Sequence, residues 1–237
     1  MLELKNVNSG YGRHQVLFDI SMRMEKENIT VIIGPNGAGK TTLFRTIMGL
    51  TSIYSGKILF DGDDITNMQT NSIVKLGISY VPQRENFFEN LTVKENLTLG
   101  GYLLGREERE AQMKEVLELF PVLARKDYIS RKASMLSGGE RRMLALAMGM
   151  MKKPKLMLLD EPTEGLMPKL AMEVYDKIRR IHEDARVQIV MTAEKARLSL
   201  ELGDDAYILS NGQIREHKDA KEMLKDPDLE VKYFGIT

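Results

Sequence analysis

Ile29-Thr30-Val31-Ile32-Ile33-Gly34-Pro35-Asn36-Gly37-Ala38-Gly39-Lys40-Thr41-Thr42 joins an apolar, β-branched run to a glycine-rich turn. The first five residues predict a strand, and Leu43 to Leu50 continue the turn as a helix. Gly34 to Thr41 fit the spacing G-x-x-x-x-G-K-[S/T]. Glycines at these places let backbone N–H groups turn inward around phosphate oxygens, an anion nest at a helix N-terminus. Lys40 adds a point charge for β- and γ-phosphates, and the Thr41 hydroxyl can ligate Mg²⁺. A glycine-rich turn alone proves little. A strand before it and a helix after it are the context that makes it a phosphate-binding loop. Residues 34–42 therefore predict a nucleoside-triphosphate site in an α/β chain.

On either side the periodicity supports that reading. LELKNV (2–7) and HQVLFDISMRM (14–24) alternate like strands, separated by the turn-like SGYG, and EKEN precedes residue 29. GKILF (56–60) predicts a strand ending at the turn DGDD, QTNSIVKL (69–76) a short helix and ISYVPQ (78–83) another strand. From Leu91 to Met151 the pattern turns helical. KLMLLDEP (155–162) and VQIVMT (187–192) are short apolar runs suited to buried parallel strands. Between them, residues 168–185 form an amphipathic helix with Pro168 in its first turn. DDAYILSNGQIREH (204–217) reads as a hairpin turning at Asn211-Gly212. Strands alternating with helices around a helical block predict an α/β core with an inserted helical subdomain.

A second motif completes the first. Leu156-Met157-Leu158-Leu159 ends in Asp160-Glu161. A strand-end aspartate beside a phosphate-binding loop positions the Mg²⁺ shell, which assigns Asp160 to the metal through water. Glu161 next to it can orient and deprotonate an attacking water. An acidic turn before Pro162 is the plainer alternative; the loop at Gly34 favours the site.

Leu136-Ser137-Gly138-Gly139-Glu140 has capping-box spacing before an apolar run. Two glycines weaken a first helical turn, however, and permit close approach of an anion. LSGGE, with GPNGAGKT upstream and LMLLDEP downstream, resembles the signature of ATP-binding-cassette (ABC) ATPases, over essentially the whole chain. The resemblance implies an α/β P-loop NTPase fold with a mixed core sheet and an N-terminal antiparallel β subdomain. Its core would span about residues 1–85 and 152–237, with the helical subdomain at about 86–151. It also implies ATP and Mg²⁺ as cofactors, with Gly34, Pro35, Asn36, Gly37, Ala38, Gly39, Lys40, Thr41 and Thr42 around the phosphates. Tyr11 resembles the aromatic that stacks on adenine, and Gln83 the glutamine that reaches metal and attacking water. Glu164 to Met167 take the place of the loop after the catalytic glutamate. Two cassettes would pair head to tail, so that Ser137, Gly138, Gly139 and Glu140 meet the ATP of the opposite subunit.

One departure stands out. The family usually carries a histidine after the strand that follows the glutamate strand. Here Ala193-Glu194-Lys195 follows VQIVMT, so Glu194 takes the switch position. His14, His182 and His217 lie elsewhere and read as surface or packing residues. A carboxylate at 194 repels a γ-phosphate unless it is protonated, paired with Lys195 or turned away. Slower hydrolysis is one consequence; a dispensable switch contact is the other.

Composition narrows the class. The 237 residues carry 34 Lys+Arg against 34 Asp+Glu, with 43% hydrophobic residues and no cysteine. That excludes disulfides, thiol catalysis and cysteine-held metals, and it disfavours a nucleic-acid partner. The longest apolar run, Met143 to Met151, falls far short of the roughly 20 residues a membrane helix needs. MLELKNVNSG carries no signal-peptide pattern. ENLTVKENLTLGGY, DEPTEGLMPKL and the ending AKEMLKDPDLEVKYFGIT look like ATP-binding subunits of branched-chain amino-acid importers, with urea-type and lipopolysaccharide-export cassettes as relatives. The expected partners are a second cassette, transmembrane permease subunits and a solute-binding protein, with the chain peripheral on the cytoplasmic face of the membrane. A slow regulatory cassette in a heterodimer, or a soluble non-transport ABC ATPase, is the alternative. In Arg84-Glu85-Asn86-Phe87-Phe88-Glu89-Asn90, one phenylalanine is expected to pack beneath the loop and the other to meet a permease. Met148, Met150 and Met151 are expected to fill core space.

Overall fold

The computed structural model describes residues 1–84, 87–194, 196–227 and 229. In chain order the strands and helices are β1 (Leu2–Tyr11), β2 (His14–Met24), β3 (Ile29–Ile33), α1 (Lys40–Ile47), β4 (Ser52–Phe60), β5 (Asp63–Asp64), α2 (Thr70–Lys75) and β6 (Ile78–Val81). Helices follow: α3 (Val93–Gly100), α4 (Arg106–Leu119), α5 (Pro121–Ala124), α6 (Lys126–Ile129) and α7 (Gly138–Met150). The chain returns through β7 (Leu156–Leu159), α8 (Pro168–Ala185), β8 (Gln188–Ala193), α9 (Ala196–Leu202), β9 (Asp205–Ser210), β10 (Gln213–Asp219) and α10 (Ala220–Leu224).

Two sheets result. The smaller is antiparallel, in the order β2-β1-β4-β5; the larger runs β10-β9-β3-β8-β7-β6. Within the larger, β9, β3, β8, β7 and β6 are parallel and β10 is antiparallel, so the sheet is mixed. Its central strands are buried on both faces, and alternate side chains enter two different cores. Ile32, Leu156, Leu158, Val190 and Leu209 pack against α1 and the small sheet. Ile33, Met157, Leu159, Met191 and Ile208 pack against the helices, chiefly α7 and α8. This double burial is why these runs are continuously apolar rather than alternating.

Several boundaries differ from the sequence reading, each for a local reason. β1 runs through Ser9 and Gly10 to Tyr11, because its pairing with β2 continues to the couple Tyr11–His14. β4 begins at Ser52 rather than Gly56; Gly56 sits within it at φ 92, beside a register shift that absorbs the glycine. In DGDD, Asp63 and Asp64 pair back onto Phe60 and Leu59 as β5. The strand before Gln83 stops at Val81, since Pro82 has no N–H for the ladder.

The register fixes where function can sit. Ile33 pairs with Ala193, Leu159 with Met191, and Val81 with Leu159. The carboxyl ends of β3, β8, β7 and β6 therefore lie side by side, and the loops leaving them carry Gly34, Glu194, Asp160 and Gln83 respectively. That edge is where open α/β sheets bind ligands.

Candidate nucleotide site

The loop after β3 folds into a cradle. Gly39 caps α1 at φ 107 with no side-chain cap, so the first N–H groups of the helix face open space. The loop is braced by the distant β9–β10 turn, where the Gly212 N–H donates to the Ala38 carbonyl at 2.9 Å. That turn approaches so closely that a Cβ on Gly212 would lie 1.8 Å from the Val16 carbonyl oxygen. Asn36 to Thr42, with Val16, Gln83 and Glu161, line a cavity of about 310 Å³.

Lys40 is buried, and its Nζ donates to the carbonyls of Gly34 (2.6 Å) and Pro35 (3.1 Å). Its third partner is Glu161 Oε1 at 3.1 Å. The other carboxylate oxygen, Oε2, accepts from Gln83 Nε2 at 2.9 Å. Glu161 is 7% exposed and sits at φ 46, a left-handed conformation that a side chain adopts at some cost. Burial pushes its carboxyl above the ordinary range; Lys40 opposes the shift and Glu164 reinforces it.

Asp160 is held from both sides. Its Oδ1 accepts from Thr192 Oγ1 at 2.8 Å and its Oδ2 from the Tyr80 hydroxyl at 3.1 Å. Thr192 Oγ1 also accepts the Glu161 N–H, which ties the two acids to β8. Burial, and then the Asp160 carboxylate, raise the Tyr80 hydroxyl well above its usual range. Arg142 on α7 donates to the Gln83 carbonyl at 2.8 Å, and burial depresses its pKa. Tyr80, Thr192 and Arg142 escaped the sequence reading. Each acts on a residue far away in the chain, and no local spacing announces such a partner.

Glu194 faces the loop: Asn36 Nδ2 donates to its Oε1 at 3.0 Å. Glu161, Glu164 and Glu194 bring carboxylate oxygens within 4.8 Å of one another. Lys195, the partner considered for Glu194, lies outside the described residues, as do Glu85 and Asn86 of the 84–90 loop and the ending from Glu230. Tyr11 closes β1, is 41% exposed and accepts from Arg45 Nη1 at 3.4 Å, outside the walls of the loop cavity.

Ser137 to Glu140 do not meet the phosphate loop within one chain. Ser137, Gly139 and Glu140 line a separate cavity with Met143 and Leu170. The capping box that the glycines made the weaker reading in fact forms. The Ser137 N–H donates to Glu140 Oε2 (2.8 Å), and the Glu140 N–H to Ser137 Oγ (3.4 Å). Gly138 and Gly139 do not prevent it, because the box uses only the outer residues.

Elsewhere, Phe87 packs against the helical-side core while Phe88 is 57% exposed. Phe88 lines an apolar groove of about 330 Å³ with Pro82, Leu99, Tyr102 and Met148. Met150 and Met151 are buried, and Met148 packs against the core from the groove. His14 is exposed, His182 bonds the carbonyls of Val187 and Glu27, and His217 stacks on Tyr207; none of the three lines the cavity.

An uncapped helix start wrapped around a buried lysine, faced by two strand-end acids, is the arrangement of a P-loop nucleotide-hydrolysing protein. Residues 17–164 match the family described as ABC transporter. Over 237 residues the chain is 38% identical to the probable branched-chain amino acid transport ATP-binding protein LivF of Archaeoglobus fulgidus, covering all of both chains. It is 37% identical over 235 residues to the high-affinity branched-chain amino acid transport ATP-binding protein BraG of Pseudomonas aeruginosa, covering 99% of this chain and all of that one. The ADP conformation of MJ1267, an ATP-binding cassette of an ABC transporter, superposes with a TM-score of 0.89 at 27% identity, over 100% of this chain and 99% of that one. The chain belongs to the ABC transporter family, as an ATP-binding cassette ATPase.

Proposed function

We propose that this cassette powers a membrane importer of branched-chain or other amino acids. Full-length similarity to two branched-chain amino-acid transport subunits carries that reading. Within the chain, the Lys40–Glu161 pair supports a hydrolytic mechanism. At rest, Lys40 occupies Glu161 and two carbonyls of its own loop. A triphosphate entering the cradle competes for Lys40, because a polyanion is a stronger partner than one carboxylate. Glu161 is then released with one oxygen still oriented by Gln83. It accepts a proton from water as the water oxygen bonds to the γ-phosphorus and the bond from that phosphorus to the β,γ-bridging oxygen breaks, leaving ADP and phosphate.

The Thr41 hydroxyl, the Gln83 amide oxygen and the Asp160 carboxylate are all oxygen donors, which suits Mg²⁺. With its amide nitrogen given to Glu161, Gln83 has only its oxygen left for a cation. When bound, Mg²⁺ would neutralise charge on the phosphate oxygens. Asp160, clamped by Tyr80 and Thr192, would hold its shell through water.

The Ser137–Glu140 motif lies in its own cavity, apart from the loop of the same chain. That separation supports completion of each ATP site by a second cassette. The Phe88 groove would receive a helix of a permease subunit, with the chain peripheral on the cytoplasmic face and a solute-binding protein delivering substrate.

Glu161→Gln tests the mechanism. Phosphate release should fall by about 10²- to 10⁴-fold while ATP binding persists and an ATP-dependent dimer accumulates. Undiminished turnover would remove Glu161 as the base. Uptake of labelled leucine by vesicles containing the chain and its permease tests the substrate class, and ATP hydrolysis that never responds to amino acids would refute it.

A further inference from the structure

Among the described residues that line the Phe88 groove, only Lys152 is charged. It follows the end of α7 at Met150, where the Lys153 N–H donates back to the Met150 carbonyl at 3.1 Å. Lys153 takes a left-handed conformation at φ 49 and turns the chain toward β7. The two lysines fare differently. Lys153 pairs with Glu108 at 3.5 Å, whereas Lys152 is half-buried in the groove wall. Among the described residues nothing donates to, accepts from or pairs with its ammonium. Burial lowers its pKa, and no carboxylate opposes that shift. The carboxyl end of α7 favours a cation nearby, which helps to keep Lys152 charged but gives it no counter-ion.

We propose that Lys152 selects the permease helix that docks here, by pairing with an aspartate or glutamate set among apolar residues of that helix. This rests on the reading above, in which the groove receives a permease helix. A cavity of about 330 Å³ cannot hold a helix, so it takes side chains from one lying across it. Apolar side chains of that helix meet Phe88, Leu99 and Met148, and its carboxylate meets Lys152. The exposed rings of Phe88 and Tyr102 then exclude water around the pair, where a charge-assisted bond is strong. A helix without an acid would bury the ammonium unpaired, which is costly, so the same lysine rejects wrong partners.

The test titrates purified permease subunits in lipid nanodiscs with the full chain, at low and at high salt. Lys152→Met keeps an unbranched stem and should bind about tenfold more weakly at low salt, the difference shrinking at high salt. Lys152→Arg, still a cation, should stay within a few-fold of wild type. In the isolated chain, Lys152→Met should leave ATPase activity unchanged and be no less stable, since it removes a half-buried cation that has no partner there. Lys152→Glu should bind most weakly, and exchanging one cytoplasmic aspartate or glutamate of the permease for lysine should restore it. Wild-type affinity in Lys152→Met, an equal loss in Lys152→Arg, or failure of every such exchange to rescue Lys152→Glu would overturn the proposal. So would a change in self-association of the isolated Lys152→Met chain by sedimentation, which would give the groove to a second copy. If Phe88→Ala weakens binding and Lys152→Met does not, the proposal falls and the groove reading stands. If neither weakens it, both fall.

Discussion

Glu194 shows how one changed side chain can alter a site without dismantling it. Of the ways a carboxylate could be tolerated there, the structure presents a contact with the phosphate loop itself, through Asn36. In the resting cavity the residue therefore steadies the loop, and beside a triphosphate it adds negative charge where charge is already concentrated. Glu194→His should raise ATP turnover by a few-fold, since an imidazole can donate where a carboxylate can only accept. Steady-state phosphate release measures this, and an unchanged or lower rate would mean the switch contact is dispensable here. Lys40, Asp160 and Glu161 were legible because loop and strand-end spacing is local. Tyr80 and Thr192 were not: they reach Asp160 from strands on either side of β7, and strand order is not written in any one segment.

Helices α3 and α7 begin alike, each with a full capping box, Thr92 with Glu95 and Ser137 with Glu140. One has no part in the proposed site and the other opens the signature motif, which makes α3 an internal control. Thr92→Ala should cost about 1 kcal/mol of stability by denaturant titration and leave ATPase activity unaltered. Ser137→Ala should cost a similar amount and also abolish ATP-dependent dimerisation. Equal functional loss in both would reduce Ser137 to a cap. Both glutamates titrate low. The Thr92 N–H and hydroxyl depress Glu95, and at Glu140 the Ser137 N–H and neighbouring donors outweigh burial. A depressed carboxylate stabilises the fold above its unfolded value of 4.5, and that contribution disappears as pH falls through the folded value. Acid titration of Glu95→Gln should show a shallower loss of stability below pH 4.5 than wild type, and an identical slope would contradict the assignment. Most elements were legible because their apolar periods are strong. The ends of β1 and β4 were not, because bulges carry glycine and serine inside a ladder.

Among the described residues no helix is long and apolar enough to cross a membrane. The Phe88 groove is the surface proposed to connect the ATP site to a membrane partner. Phe88→Ala should uncouple uptake from hydrolysis in vesicles while basal ATPase persists, because its ring is exposed. Phe87→Ala should instead lower stability by about 1–3 kcal/mol, because its ring packs on the core. Reversed results would exchange the two roles. The brace on the phosphate loop carries one more consequence, for the order in which the molecule is made. Ala38 leaves the ribosome early, yet the Gly212 N–H that holds its carbonyl is made about 170 residues later. At about 5–20 residues per second the loop waits roughly 10–35 s for that partner. β9, which lies beside β3 in the finished sheet, arrives equally late. A nascent chain halted before the β9–β10 turn has the whole phosphate motif but neither the Gly212 brace on its loop nor the β9 neighbour of β3.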